Sequence, residues 1–373
     1  MKILSFVLVL SGGLSIYSYS SRSGADFLNF EPSSRSQGLG GAASASITDI
    51  TGMNINPASI AFIREPQVSY MHQATLSEFS TEYLSMGLPL AVFFPSRKSL
   101  PKKMRWLRNV RVGFSFLYFY TPSFEIVGND SNEAQSIANV NDLFGSLALG
   151  YNLLGYRLGL AFKFINRRLV DFTTSTIAFD LGALKGFELN ALRFLPYPVR
   201  YNIKVALSLT NAGPGIEFAG LSEALPLNIK TGLSYGLFGS SNHLIDFNLG
   251  TSTILNEATY LNMGFEYRVF KFFFFRTGIE FGPGQFQENS FTLGTGLRYT
   301  FRKVTYRVDY AYLPRRNNVT DNHSFSLLAQ LHFLRPRKRK RVTSLGILDG
   351  STKKKKRRKK RKKKKKEKKI EIR

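Results

Sequence analysis

The sequence predicts an all-β fold, a transmembrane antiparallel β-barrel of about 14 strands. Three observations carry that prediction. The stretch His323 to Phe333 alternates strictly: Phe325, Leu327, Ala329, Leu331 and Phe333 share one face, and Ser324, Ser326, Leu328, Gln330 and His332 share the other. An alternating strand of about ten residues that ends on an aromatic is the form of a final strand in an outer-membrane barrel. The chain also opens on a segment with the features of an export signal, and from Gln67 onward alternating segments follow one another, separated by connections that are short and long in turn.

Met1-Lys2 is a basic head, Ile3 to Leu10 is apolar, and Ser11 to Ser20 is small and polar. Residues 1–20 therefore read as a signal peptide, cleaved after Ser18 or Ser20. The apolar run is too short to span a bilayer, and no later stretch reaches about eighteen apolar residues, so no transmembrane helix is expected. With no cysteine, disulfides, thiolate metal sites and a lipid-bearing cysteine are excluded. Phe and Tyr number 33 and 17 against one Trp, an aromatic loading that suits strands and membrane girdles.

Residues 21–66 show little alternation. They hold a glycine-rich run, Gly38 to Ala45, and then Asn54-Ile55-Asn56-Pro57-Ala58. The expectation is a compact segment with one or two short helices, too small to fold alone. Residues 67–333 form the barrel, with strands at 67–75, 81–94, 108–120, 141–152, 154–166, 174–184, 200–211, 227–237, 243–252, 260–270, 272–281, 290–302, 303–312 and 323–333. Turns after even strands are expected to face the periplasm and be short, whereas loops after odd strands face outward and can be long. The connections near Leu153, Phe238–Asn242, Lys271 and Arg302 are short, and 121–140, 212–226, 253–259, 282–289 and 313–322 are longer. Segments 95–107 and 185–199 break this parity, and small periplasmic helices are the reading for them.

Alternation sorts each strand into two faces. Phe291, Leu293, Leu297, Tyr299 and Phe301 oppose Thr292, Gly294, Gly296, Arg298 and Thr300. Val304, Tyr306, Val308 and Tyr310 oppose Lys303, Thr305, Arg307 and Asp309. A soluble sandwich would alternate in the same way. The signal segment, the terminal aromatic and the loop parity favour apolar faces on lipid. Arg157, Lys163, Lys204, Glu266, Arg268, Arg276, Glu280, Arg298, Arg307 and Asp309 are then expected to line the lumen. An Arg or Lys on the lipid side would cost about 2–4 kcal/mol near mid-bilayer. Both signs occur inside, so neighbours can pair; this structural packing is preferred over a lining that selects a solute. Phe325, Leu331 and Phe333 are the candidate barrel-assembly signal, read by the outer-membrane assembly machinery.

No catalytic constellation emerges. His72, His243, His323 and His332 lack metal-ligand spacing, and Gly282-Pro283-Gly284 lacks the Lys-Ser/Thr of a phosphate loop. No enzyme activity, metal or cofactor is expected. A barrel enzyme would need Ser, His and a carboxylate converging at one rim.

Ser36-Gln37-Gly38-Leu39-Gly40-Gly41-Ala42 followed by Asn56-Pro57-Ala58 resembles the N-terminal segment of the PorV/PorQ family of FadL-like outer-membrane β-barrel proteins. Phe179-Asp180-Leu181-Gly182, Leu209-Thr210-Asn211-Ala212-Gly213, Gly264-Phe265-Glu266-Tyr267, Arg276-Thr277-Gly278 and Val308-Asp309-Tyr310-Ala311-Tyr312 continue the resemblance in order, over roughly residues 24–333. It implies that residues 21–66 form an N-terminal hatch or plug in the lumen, with Gly38, Gly40, Gly41, Asn56, Pro57 and Ala58 as the hatch motif. It also implies a channel or transporter for hydrophobic small molecules such as fatty acids. The alternative is a PorV-like accessory of a protein secretion system that binds exported proteins.

The net charge of +27 is uneven. Residues 335–373 hold 23 Lys/Arg against 3 Asp/Glu, so the body is only mildly basic. Residues 334–373 are a Lys/Arg-rich tail predicted to be disordered. Lys353, Lys354, Arg357, Arg358 and Lys362 stand in its unbroken basic run, which contains no aromatic to stack bases. Behind a signal peptide and a barrel, this tail is expected in the periplasm of a bacterial outer-membrane protein. Peptidoglycan or anionic lipid is its expected partner, and nucleic acid is not. A solvated tail with no dedicated partner is the plainer reading.

Overall fold

The computed structural model describes residues 23–75, 79–94, 101–122, 124–127, 134–170, 172–188, 202–218, 220–240, 242–282, 290–314 and 321–332. Residues 1–20, where a signal peptide is expected, Phe333 and the basic run at 353–366 lie outside them. Fourteen strands close into one barrel. They are β1 (Gln67–Thr75), β2 (Ser80–Pro89), β3 (Val110–Tyr120), β4 (Val140–Leu153), β5 (Tyr156–Leu169), β6 (Phe172–Phe187) and β7 (Ile203–Ala212). Then follow β8 (Asn228–Gly239), β9 (His243–Ile254), β10 (Ala258–Val269), β11 (Phe273–Phe281), β12 (Ser290–Phe301), β13 (Val304–Leu313) and β14 (Asn322–Leu331). Each pairs antiparallel with the next in sequence, and β14 closes on β1 from Gln67↔Gln330 to Thr75↔Asn322. Closure satisfies the edge groups that an open sheet would leave unpaired.

Local chemistry sets the strand ends. Leu154 and Gly155, both at positive φ, make the two-residue turn from β4 to β5. Pro89 offers no N–H to a ladder, and the chain turns into a 3-10 segment at Leu90–Val92, so the strand expected over 81–94 is shorter. Lys102–Asn109 is likewise helical, so the strand expected from 108 begins at Val110. β14 stops at Leu331, short of the expected 333, where the His332 N–H turns to the Lys303 carbonyl. Two hairpins that alternation missed, Phe124–Val127 with Ala134–Ala138 and Ile216–Phe218 with Leu221–Glu223, decorate loops after odd strands.

The outward face is apolar. Phe265, Phe291 and Tyr306 are 45%, 45% and 39% exposed, whereas Arg276 and Arg307 on the inward faces are each 3% exposed. A closed barrel with greasy side chains outward and ions inward cannot be a water-facing sandwich; that arrangement would exchange the two sets.

Candidate functional site

The lumen is filled by residues 23–66. The segment runs through short helical turns at Asp26–Asn29, Ser34–Gln37, Ile50–Gly52 and Pro57–Phe62. Three side-chain caps hold its shape. Ser33 Oγ accepts from the Ser36 N–H at 3.4 Å. Asn56 Oδ1 accepts from the Ala58 N–H at 2.9 Å, with Pro57 pre-set for the first helical position. Asp49 Oδ1 accepts from the Thr51 N–H at 3.1 Å.

Small residues in register let this plug touch the wall. Gly159 and Gly182 are cross-strand partners, and a Cβ on either would fall 2.2 Å from Pro57 C or 2.1 Å from Asn56 Oδ1. On the opposite wall Gly264 and Gly278 are partners, and a Cβ on Gly278 would fall 2.1 Å from Gly40 N. Gly38 packs on Gly294. Gly40 and Gly41 take φ of 61° and 77°, where a side chain would be strained. All six hatch-motif residues named from the sequence thus lie against the wall or form the caps.

The two sides of the lumen differ in chemistry. On the β1–β6 side, cross-strand pairing lines up Met71, Tyr83, Leu117, Phe144 and Ile165 in one row. Ala25, Phe27 and Leu28 of the plug fill the row from inside, and Ile216 and Leu225 cover it from the loop before β8. Below it Ile50, Met53, Ile60 and Ile63 pack on Ala148, Ala161 and Leu328. Ion pairs interrupt this side. Arg167 on β5 meets buried Asp142 on β4 at 3.2 Å. Lys163 and Asp180, both buried, meet at 2.8 Å, and Asn211 bonds both. Asp180 sits at a register shift between β6 and β7, which aims it inward.

On the β10–β13 side a ring of charges replaces hydrocarbon. Arg35 forks onto Glu266 at 2.9 and 2.9 Å, and Glu266 meets Arg276 at 2.8 Å. Arg276 reaches across β12 to Asp309 at 2.8 Å, over Gly296, whose missing side chain leaves the room. Arg307 binds Asp309 and Asp49 at 2.7 Å each, and Asp49 returns to Arg35 at 3.9 Å. The ring has three cations and three carboxylates, with two members from the plug and four from the wall. Burial disfavours the charged form of Asp49, but Arg307 and Arg35 outweigh it and hold its carboxyl well below the usual range. Lys230 pins the plug once more through Glu31 at 2.6 Å.

The remaining residues named from the sequence fall into two groups. Arg157, Lys204, Arg268 and Arg298 line two adjoining polar cavities of about 230 and 150 Å³ at the short-turn end, and Glu280 accepts from Asn262 at 3.0 Å near the glycine loop. Phe325 points outward and Leu331 ends β14. Phe333, Lys353, Lys354, Arg357, Arg358 and Lys362 lie outside the described residues. Sequence reasoning missed Arg35, Asp49, Asp180 and Asp246. A signal for the first two exists: between Pro32 and Ile63 they are the only charged residues, set in a run of small and apolar ones. Among the described residues no group of three or more His, Asp or Glu could hold a metal.

No protein-family model matches this sequence, and none of the curated proteins matches it. Solved structures do match in fold. A TodX deltaS2S3 mutant monoaromatic hydrocarbon channel aligns with a TM-score of 0.51 at 9% identity, over 80% of this chain and 98% of that chain. The CymD monoaromatic hydrocarbon channel aligns at 0.35 and 12% identity, over 80% and 97%. The Acinetobacter baumannii outer membrane protein Omp33 aligns at 0.36 and 10% identity, over 72% and 98%. At these identities the first of them shows a shared fold, a closed antiparallel barrel.

Proposed function

We propose that this chain is an outer-membrane channel of FadL-like type that admits small hydrophobic molecules along the β1–β6 side of its lumen. The observation that carries the reading is the registered row Met71–Tyr83–Leu117–Phe144–Ile165, an apolar wall inside a barrel whose other side is ionic. The outward apolar belt supports residence in a bilayer. The likeness in fold to a monoaromatic hydrocarbon channel fits the same reading. Phe27 and Leu28 occupy the row, so an entering solute takes their place, and the plug's first turn moves while the ring-bound part stays. No group-transfer chemistry is part of this reading.

Uptake of radiolabelled oleate by proteoliposomes tests it. The expected result is saturable uptake above protein-free vesicles, lost in Phe144→Asp while that variant still runs as a folded barrel in unheated gels. Uptake at the protein-free level by the wild-type chain would reject the reading.

A second reading is favoured by one observation, the plug backbone pressed onto strand glycines of both walls, Gly159 and Gly182 on one and Gly264 and Gly278 on the other. In it the barrel is a PorV-like secretion accessory whose loop end receives exported proteins. Deleting the gene would then abolish secretion and leave oleate uptake unchanged. In either reading the basic tail acts as a periplasmic tether to peptidoglycan or anionic lipid. Deleting 335–373 is expected to lower the salt needed for extraction, and unchanged retention would reject the tether.

A further inference from the structure

We infer that the polar cavity at the short-turn end of the lumen is a binding site for a phosphate group. The inference stands whichever molecule uses the apolar side.

The charges around the two adjoining cavities do not balance. The six-membered ring neutralises Arg35 and Arg307. Asp246 takes up Arg268 at 2.5 Å. Arg157, at the first cavity, donates to the Gly155 carbonyl at 2.6 Å. Lys204 and Arg298 remain, and among the described residues neither has a carboxylate within 4.0 Å or a hydrogen bond from its charged head. The Arg298 guanidinium lies over the face of Phe274, 4.9 Å from the ring centre. Two half-buried cations with no carboxylate in contact are costly without an anion beside them.

A second, independent observation points to a ligand. Asn248 lines the same cavity, is 1% exposed, and neither its amide nitrogen nor its oxygen has a protein partner. Arg307 Nη2 lines it too, also buried and without an acceptor. Buried polar atoms almost always have partners. Here four groups, Lys204, Asn248, Arg298 and Arg307, turn donors without acceptors towards one space. Its 150 Å³ equals about five waters' share of liquid volume.

The donor set selects the ligand class. Guanidinium forks and an ammonium point charge are the groups that hold phosphate oxygens. Two surplus positive charges match a phosphate monoester, which carries about −1.5 to −2 at neutral pH, better than a carboxylate. The lining is polar apart from Phe274 and Phe62 and gives acyl chains no groove. The source is therefore a soluble phosphorylated molecule and not a lipid headgroup.

Equilibrium dialysis of the full chain in detergent with radiolabelled inorganic phosphate, at 150 mM sodium chloride, tests the site. Short-chain phosphatidic acid and acetate serve as competitors. The basic tail is present in every variant, so only the difference between variants reports on the cavity. Lys204→Gln and Arg298→Gln are each expected to weaken phosphate binding at least tenfold. Asn248→Ala changes no charge and is expected to weaken it severalfold, which keeps the test open if a charge variant fails to fold. Binding equal in all folded variants would overturn the proposal, as would competition by acetate equal to that of unlabelled phosphate. Stronger competition by phosphatidic acid than by phosphate would overturn the soluble source.

Discussion

The two walls that hold the plug do the same job with opposite chemistry. On the β1–β6 wall the plug is held by hydrocarbon: Phe27 and Leu28 on the upper row, Ile50, Met53 and Ile60 on the lower. On the β10–β13 wall it is held by Arg35 and Asp49, each locked to carboxylates or guanidinium groups of the strands. Hydrocarbon contact is non-directional and can be replaced by another apolar body of similar volume. An ion-pair ring is directional and cannot be replaced by a hydrophobic solute. One wall is therefore suited to exchange and the other to anchoring.

Breaking the anchored wall should have the largest effect. Arg307→Ala opens the ring, leaving Asp309 to Arg276 and Asp49 to Arg35 at 3.9 Å alone, and losing one partner of a buried pair costs about 3–5 kcal/mol. Denaturant unfolding in micelles should show that loss, and amide exchange in Gly38–Gly41 should accelerate. Leu117→Ala, on the apolar wall, should cost about 2–5 kcal/mol as a cavity forms, but leave exchange at Gly38–Gly41 unchanged. If both variants loosen the glycine loop equally, the two walls are not independent.

Gly159→Ala and Gly278→Ala sharpen the comparison, because they probe the one device the walls share. Each new Cβ meets plug backbone, at 2.2 and 2.1 Å, so each should cost about 1–3 kcal/mol by overpacking. Near-equal losses in unfolding are expected. The smallest effect is that of mild acid. A carboxyl whose native pKa is lowered, as in Asp49, stabilises fully above its unfolded value near pH 4, and that stability disappears only as pH falls further through the native value. Between pH 7 and 5 the protection factors of Gly38–Gly41, exchange rates corrected for the intrinsic pH dependence of amide exchange, should stay constant.

The strands were legible because a period of two writes itself into the sequence, and Phe291 to Phe301 shows it without help. Which face meets the outside came from context, namely the signal segment and the loop parity. The ring was only half legible. Glu266, Arg276, Arg307 and Asp309 stand out as charges on inward faces. Their plug partners lie 231 and 258 residues away in sequence, a distance no local pattern bridges. The glycines were visible, but Gly264 and Gly278 become a contact surface only once register sets them side by side. Asp180 stands in the sequence within Phe179-Asp180-Leu181-Gly182, and only the ladder shift that turns it towards Lys163 assigns it a partner.

The claim that the apolar wall exchanges its occupant is tested most directly at Phe27. The chain has no cysteine, so a Phe27→Cys variant carries a single thiol. In proteoliposomes, labelling of that thiol by a water-soluble maleimide should rise severalfold at oleate concentrations that saturate uptake. A labelling rate unchanged by oleate, in a protein that still takes oleate up, would contradict the account.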